Sequence, residues 1–261
     1  MTLLSIVVPV RNEESRLPNT LRGLTTALTG ITKSAEIVVV DNASTDGSVD
    51  IVRRFQQHRY QSGAVPIRLV HCAQLGKGAA VRAGVLESDS PYVGFCDADL
   101  ATDMAALEPT LLQLGAGVNV VVGSRAHPSS IVKARHSVLR QAGAWVFRRV
   151  ANGFVPGVAD TQCGYKFFDR ATANAVFRPL RTLGFAFDVE LLARAQRIGA
   201  VIFELPVHWH DVPGSTFHPL RDGYRSFSAL ARMRSILAQQ QETEPELDEV
   251  RPVTTPIAEV A

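Results

Sequence analysis

Apolar runs of strand length alternate with stretches of helical periodicity through the first half of the chain. Five runs are predicted as strands, because near-continuous apolar character is typical of parallel strands covered on both faces. They are residues 3–10, 36–41, 67–72, 92–97 and 118–124, with helical patterns between them near 13–29, 47–59, 77–88 and 103–115. This alternation predicts an α/β fold with a doubly wound, mostly parallel sheet and right-handed crossovers.

The pattern changes after residue 125, where a second set of elements is predicted. Apolar residues at helical spacing predict one long helix over 131–153, followed by a loop over 153–164. The remaining elements are predicted as a strand at 165–168, a helix near 187–199, a strand at 201–209 and a final helix over 221–238. Because no linker separates the two halves, we expect one domain over residues 1–238.

Composition and charge restrict the class of protein. With 46% hydrophobic and 20% charged residues, the chain is typical of soluble globular proteins. Residues 239–261 hold six of the 25 acidic residues, one of the 27 basic residues and three prolines, so they are predicted to be a disordered acidic tail. Without the tail, 26 basic and 19 acidic residues remain, and the net charge of +2 becomes +7.

Three cysteines and the apolar runs bear on the compartment. Cys72, Cys96 and Cys163 have no metal-type spacing, and their odd number and apolar settings favour reduced thiols in the cytoplasm. The first apolar run is too short for a signal peptide and lacks a basic flank. No apolar stretch approaches the roughly 20 residues that a membrane span requires.

Polar residues collect at the ends of the predicted strands. They are Arg11, Asn12 and Glu13 after the first strand, Asp41 and Asn42 after the second, Asp97 and Asp99 after the fourth, and Arg125 after the fifth. Because open α/β sheets bind ligands beyond the carboxyl ends of their strands, this clustering predicts a single site.

The acidic pair indicates the chemistry of that site. Asp97 and Asp99 are two residues apart, so in an extended strand both carboxylates face the same side. Hard oxygen ligands with open positions between them suit Mg²⁺ or Mn²⁺ carrying a diphosphate. A bare Asp-x-Asp is a short pattern, and taken alone it is better explained as acids that cap the following helix; the polar residues at the other strand ends reverse that preference.

Further polar patterns are individually weak. The loop Gly76-Lys77-Gly78 opens a helix, where two glycines let the backbone approach a ligand and the helix N-terminus favours an anion. Asp188 is a candidate helix cap, and His208 and His210 are candidate strand-edge residues. Segment 125–149 has no acidic residue, and its basic residues are Arg125, Lys133, Arg135, Arg140, Arg148 and Arg149. Such a stretch can bind phosphates, lipid headgroups or nucleic acid, or it can be a solvated helix face.

Taken together, several motifs resemble glycosyltransferase family 2, the GT-A enzymes that use nucleotide-diphosphate sugars. In the first half these are IVVPVRNEE at 6–14, VVDNASTDG at 39–47 and DAD at 97–99. In the second half GSRAH at 123–127, DTQCGYKFF at 160–168 and FAFDVEL at 185–191 look like the branch of dolichyl- and polyprenyl-phosphate glycosyltransferases, in particular its dolichyl-phosphate glucosyltransferases. The resemblance covers about residues 3–235 and implies a GT-A fold with a Rossmann-like nucleotide-binding half.

The resemblance assigns roles to individual residues. It implies a nucleotide-sugar-binding half over 1–125 and an acceptor-binding half over 126–238. The nucleotide pocket would be lined by Pro9, Arg11 and Glu13, and Asp41 would contact the nucleotide base. Beside the nucleoside would lie Asp46, Gly76, Lys77 and Gly78. Mg²⁺ or Mn²⁺ would be held by Asp97 and Asp99, with Gln162 as a further ligand. The donor diphosphate and the acceptor phosphate would be gripped by Arg125, Arg135 and Arg140.

The function implied is inverting transfer of a hexose from a nucleotide-diphosphate sugar to a polyprenyl or dolichyl phosphate. UDP-glucose is the favoured donor and GDP-mannose the alternative. Asp99, Arg125 and Asp188 are the expected catalytic residues, although a lipid phosphate is already ionised and needs no base. A hydroxyl acceptor would need one, and Asp188 is then the best candidate. We expect a cytoplasmic protein in peripheral contact with the anionic inner face of the cell membrane.

Two other functions remain open at this point. The first is a soluble family 2 glycosyltransferase with a saccharide or small-molecule hydroxyl acceptor, because membrane-bound relatives often carry transmembrane segments and this sequence shows none. The second is a non-catalytic nucleotide-sugar binder or membrane-recruited protein, against which the intact acidic pair argues. Nucleic-acid binding is disfavoured, since the chain is only moderately basic.

Overall fold

The computed structural model describes residues 2–32, 34–62, 65–133, 146–212 and 219–238. The strands in these residues are β1 (Leu4–Val10), β2 (Ala35–Asp41), β3 (Ile67–His71), β4 (Tyr92–Cys96), β5 (Val120–Ser124), β6 (Ile131–Lys133), β7 (Tyr165–Asp169), β8 (Ile202–Pro206) and β9 (His208–His210). Seven of them form one sheet in the order β3-β2-β1-β4-β7-β5-β8, and β6 pairs with β9 in a second, two-stranded sheet.

The helices are α1 (Leu17–Ile31), α2 (Ser48–Ser62), α3 (Lys77–Leu86), α4 (Leu107–Gly115), α5 (described over 146–151), α6 (Arg170–Phe177), α7 (Phe187–Arg197) and α8 (Pro219–Ala238). A short 3₁₀ turn, Met104–Ala106, precedes α4. None of the helices in the described residues combines the length and the apolar composition of a membrane span.

The sheet is parallel except at β7, which runs antiparallel between β4 and β5. From β1 the chain continues outward through β2 and β3 on one side, whereas β4 pairs with the other side of β1. The strand order therefore reverses between β1 and β4, and a ligand crevice is expected beyond their carboxyl ends.

Burial follows the predicted periodicity. In α1 the buried leucines Leu17, Leu21, Leu24 and Leu28 recur at three or four residues and cover one face of the sheet, and every residue of β2 is buried. Two hydrophobic clusters lie on the two faces of the sheet. The predicted α/β fold with a mostly parallel sheet is thus confirmed, and the first-half elements agree with the structure to within a few residues at their ends.

The second half departs from the prediction in three places. The helix predicted over 131–153 was wrong at its start, because Ile131–Lys133 form β6 and pair with His208–His210. The strand predicted at 201–209 divides into β8 and β9, which belong to different sheets. Helix α6 was not predicted, although Asp169 caps it by accepting the amide of Thr172 at 2.7 Å. The predicted acidic tail, 239–261, lies outside the described residues.

Candidate active site

The turns that follow β1, β2 and β4 share an uncommon backbone geometry. Among the described residues, the non-glycine residues with positive φ are Asn12 at 57°, Ala43 at 57° and Leu100 at 48°. Each lies just beyond the carboxyl end of its strand, on the edge where the crevice opens. Such conformations persist where the surroundings hold them in place, and they cluster at functional sites.

Hydrogen bonds between side chains and backbone join the loops after β1 and β2. The amide of Glu13 donates to Ser48 Oγ at 2.9 Å, and the amide of Glu14 donates to Asp46 Oδ2 at 3.0 Å. Asp46 also accepts the amide of Ser48 at 3.0 Å, which supports the start of α2. Burial opposes ionisation of Asp46, but the hydrogen bonds from Ser48 and Glu14 outweigh it and lower its pKa. Asp46 therefore shapes the pocket by bracing two of its loops.

Asn42 fixes the loop that follows β3. Its Nδ2 donates to the carbonyls of Cys72 at 3.0 Å and Gln74 at 2.7 Å, and its Oδ1 accepts the amide of Gly76 at 2.8 Å. The neighbouring Asp41 is buried and accepts the amide of Ser44 at 3.1 Å. Sequence reasoning placed Asn42 at this edge without a role. The structure shows that it aligns the Gly76–Gly78 loop with the crevice.

The two glycines of that loop also make room for another part of the same chain. A side chain at Gly76, whose φ is 135°, would collide with the carbonyl of Leu183, and one at Gly78 would lie 2.6 Å from Phe187 Cβ. The close approach that these glycines permit is therefore made by residues 182–187 of the same chain. Lys77, between them, begins α3 and is held at the crevice.

The acidic pair lies at the carboxyl end of β4. Asp97 Oδ1 is 2.6 Å from Lys77 Nζ, and a side chain at Gly164 would collide with the Asp97 carboxylate. Burial raises the pKa of Asp99, and the charge of Asp97 raises it further. Burial likewise raises the pKa of Glu13 on the opposite side of the crevice, with Arg16 opposing the shift.

These carboxylates fit a divalent cation. Burial first, and then the charge of Asp97, disfavour a second negative charge on Asp99. A bound cation would compensate the negative charge of the pair, and carboxylate oxygens suit Mg²⁺ and Mn²⁺. In the part of the chain that the structure describes, no group of three or more histidine, cysteine or carboxylate side chains could hold a metal. A metal here would need ligands from elsewhere, as expected where diphosphate oxygens complete the coordination.

Arg125 is fixed beside the crevice by Asp160. Its Nε and Nη2 donate to the two carboxylate oxygens at 2.7 and 2.9 Å, and its guanidinium lies 5.6 Å from the Trp209 ring centre. Burial works against the charge of Asp160, but the hydrogen bonds and charge of Arg125 lower the pKa of Asp160 to about 2. Glu204 in turn accepts the amide of Asp160 at 3.1 Å. The arginine is 29% exposed, so it presents a fixed positive charge to solvent.

Asp188 lies in the interior. Lys166 is fully buried, and its Nζ donates to Asp188 Oδ1 at 2.6 Å and to the Cys163 carbonyl at 2.7 Å. Burial raises the pKa of Asp188, with Lys166 and Lys77 opposing the shift. It is not the cap of α7, which begins after Ala186. A general base must reach the acceptor, and this carboxylate instead contacts a buried ammonium group.

The remaining predicted residues have simple positions. Pro9 is half-buried in β1 opposite Val40, and Arg11 is exposed just beyond the strand. The amide of Gln162 donates to Asp160, and its Nε2 is buried without a hydrogen-bond partner among the described residues. Arg135 and Arg140 lie outside the described residues. Lys166 was missed as a site residue, although a lysine within the apolar strand YKFFD signals a buried partner.

Comparison with known proteins gives a consistent family. The family model "Glycosyl transferase family 2" matches residues 5–177. The dolichyl-phosphate beta-glucosyltransferase of Dictyostelium discoideum is 34% identical over 88% of this chain and 73% of its own length. The human enzyme of the same name is 35% identical over 83% of this chain and 70% of its own length.

Solved structures share the fold at low identity. Mannosyl-3-phosphoglycerate synthase from Rubrobacter xylanophilus superposes with a TM-score of 0.62 at 18% identity, covering 95% of this chain and 78% of that one. Glucosyl-3-phosphoglycerate synthase from Mycobacterium tuberculosis, in complex with Mn²⁺, uridine-diphosphate and phosphoglyceric acid, gives 0.58 at 17% identity, covering 94% and 80%. These similarities confirm the expected GT-A fold.

Proposed function

Because the chain belongs to glycosyl transferase family 2, we propose that it transfers glucose from UDP-glucose to a polyprenyl phosphate of the dolichyl phosphate type. The observation that carries this proposal is the set of dolichyl-phosphate beta-glucosyltransferases from Dictyostelium discoideum, Saccharomyces cerevisiae and Homo sapiens. They are 34%, 32% and 35% identical to the chain over more than four fifths of its length.

The donor would lie in the crevice between β1 and β4. On the β1 side the crevice would be lined by Pro9, Arg11 and Glu13, and Asp41 would contact the nucleotide base. The loops held by Asp46 and Asn42 would form its walls. The fold neighbour from Mycobacterium tuberculosis was crystallised with uridine-diphosphate, which supports a uridine nucleotide in a site of this architecture. We favour UDP-glucose over GDP-mannose on the relatives' names.

Asp97 and Asp99 would hold the divalent cation, with Gln162 as a further ligand. The ion would supply charge stabilisation for the departing diphosphate. Mn²⁺ is present in the fold neighbour, which supports Mn²⁺ alongside Mg²⁺. Arg125 would add a fixed positive charge, since Asp160 holds its guanidinium in place before any ligand arrives.

The acceptor best suited to this site is a phosphate. A lipid phosphate attacks the anomeric carbon in its ionised form, from the face opposite the leaving group, so configuration inverts without a base. The interior position of Asp188, paired with Lys166, supports this base-free chemistry. We assign Asp188 a positioning role: it would keep β7 and the loop ending at Cys163 in place behind the acidic pair.

A peripheral membrane location follows from a lipid acceptor. Val146 and Val150 of α5 are 44% and 42% exposed, and the exposed Arg148 and Arg149 lie between them in sequence. Apolar and basic side chains together suit the surface of an anionic bilayer. We propose that α5 is part of the contact with the cytoplasmic face of the membrane.

A transfer assay tests the proposal. Purified protein with Mg²⁺ or Mn²⁺ would be given labelled UDP-glucose or GDP-mannose and a short polyprenyl phosphate. Label from UDP-glucose should enter the lipid phase, and Asp99→Ala should abolish it. Asp50→Ala, which removes an exposed carboxylate on α2, serves as the matched control. Donor binding or hydrolysis without labelled lipid would instead point to a hydroxyl acceptor.

A further inference from the structure

Lys77 forms an ion pair with Asp97, the carboxylate that the proposed function assigns to a metal. Its Nζ is 2.6 Å from Asp97 Oδ1, and the two side chains are only 17% and 36% exposed. The lysine side chain is thus the positive group that pairs with the acidic pair in this structure.

A divalent cation at Asp97 would have to share that carboxylate with Lys77. One oxygen contacts Lys77, and the carboxylate also packs so closely on Gly164 that any side chain there would collide with it. A divalent cation binding Asp97 would stand within a few ångströms of the ammonium nitrogen, where two like charges repel strongly even when partly screened. The cation and Lys77 therefore compete for Asp97.

A donor diphosphate would give Lys77 a second partner. The lysine is the first residue of α3, and a helix N-terminus favours an anion and disfavours a cation that has no counter-charge nearby. The flanking loop is fixed by Asn42 and by the close approach of Gly76 to the Leu183 carbonyl, so an exchange of partners would be made by the lysine side chain and not by the backbone. The buried Asp188 carboxylate also attracts Lys77.

We propose that Lys77 exchanges Asp97 for the donor diphosphate when the divalent cation binds, so that the cation and the nucleotide bind cooperatively. This inference rests on the proposed function. A cation or a donor that binds alone must compete with the Lys77–Asp97 ion pair. When both bind, the cation takes Asp97 and the diphosphate takes Lys77. The coupling would disfavour a metal bound without donor, which has no sugar to transfer.

Titration of Mn²⁺ with and without UDP measures this coupling. The affinity for Mn²⁺ would be followed by calorimetry and by the electron paramagnetic resonance signal of free Mn²⁺, in the wild type and in Lys77→Met. The variant should bind Mn²⁺ alone about tenfold more tightly, and UDP should strengthen Mn²⁺ binding about tenfold less than in the wild type. Arg53→Met, which removes an exposed positive charge on α2, should behave like the wild type.

A second measurement uses the unaltered protein and does not depend on the variant folding. The chain has four lysines, Lys33, Lys77, Lys133 and Lys166, so the ¹⁵N spectrum of its side-chain ammonium groups is simple. The Lys77 resonance should shift when Mg²⁺ and UDP are added together and shift much less with Mg²⁺ alone. The buried Lys166 resonance should stay in place as an internal reference.

The outcomes separate the inference from the proposed function. A wild type whose Mn²⁺ affinity is unaffected by UDP, or a Lys77→Met variant with wild-type coupling, would overturn the exchange while labelled lipid still forms. A wild type that binds neither Mn²⁺ nor UDP would remove the proposed function and the inference together.

Discussion

The buried pair Lys166–Asp188 gives the sharpest prediction about how the site is held together. Two unit charges 2.6 Å apart attract by about 6 kcal/mol at an effective dielectric constant of about 20, and desolvation offsets part of this. Asp188→Asn leaves the fully buried Lys166 without its counter-charge. We expect the free energy of unfolding to fall by about 3–5 kcal/mol, a large share of a typical domain's stability.

A double-mutant cycle in urea measures this effect. Lys166→Met and Asp188→Leu should each destabilise the protein, and the double variant should recover much of the loss because no buried charge remains. Additive effects, or a loss below about 1 kcal/mol for Asp188→Asn, would refute the reasoning.

The same variants test the assignment of Asp188. If it positions the site, a folded double variant should retain donor binding and measurable transfer. Complete loss of transfer by Asp188→Asn with intact donor binding, together with full transfer by Lys166→Met, would indicate that Asp188 acts directly and would contradict the base-free mechanism.

Three further results are expected. The lowered pKa of Asp160 stabilises the fold above pH 4, and this contribution is lost as the pH falls toward 2. Asp160→Asn should therefore lower the free energy of unfolding by about 2 kcal/mol at neutral pH. Urea unfolding at a series of pH values should also show a smaller loss of stability in acid for the variant than for the wild type. Gly164→Ala should displace the adjacent carboxylate and weaken metal-dependent UDP binding in calorimetry, whereas Gly30→Ala, with open space around it, should leave that affinity unchanged. Replacing Arg148 and Arg149 by glutamine should reduce co-sedimentation with anionic liposomes without changing UDP affinity, and unchanged co-sedimentation would rule out α5 as the membrane contact.

Local patterns predicted the first half of the fold and indicated where a candidate site would lie. The runs before Arg11, Asp41 and Asp97 are almost continuously apolar, and a charged residue follows each of them, so the strand and the ligand edge could be predicted together. The parallel arrangement then required these ends to meet, which is a consequence of topology and needs no knowledge of side-chain contacts.

Contacts between distant parts of the chain could not be predicted in the same way. The insertion of β7 between β4 and β5 depends on pairing across about 70 residues. The local sequence reflects it only at Gly94, where a side chain would collide with Phe167 of β7. The pairing of Lys166 with Asp188 is equally non-local. At Ile131–Lys133 the short apolar pattern fitted a helix and a strand alike, and the partner strand decided the outcome.

The central claim is that the acceptor is a lipid phosphate, and one comparison tests it most directly. Labelled UDP-glucose would be offered with a polyprenyl phosphate and, separately, with the polyprenol of the same chain length, in the presence of Mn²⁺. The account predicts that the phosphate is glucosylated and the alcohol is not. The phosphate acceptor is already ionised and can attack the sugar directly, whereas the alcohol would need a base, and no exposed base is assigned to the site. Equal labelling of the alcohol, or labelling of the alcohol alone, would contradict it.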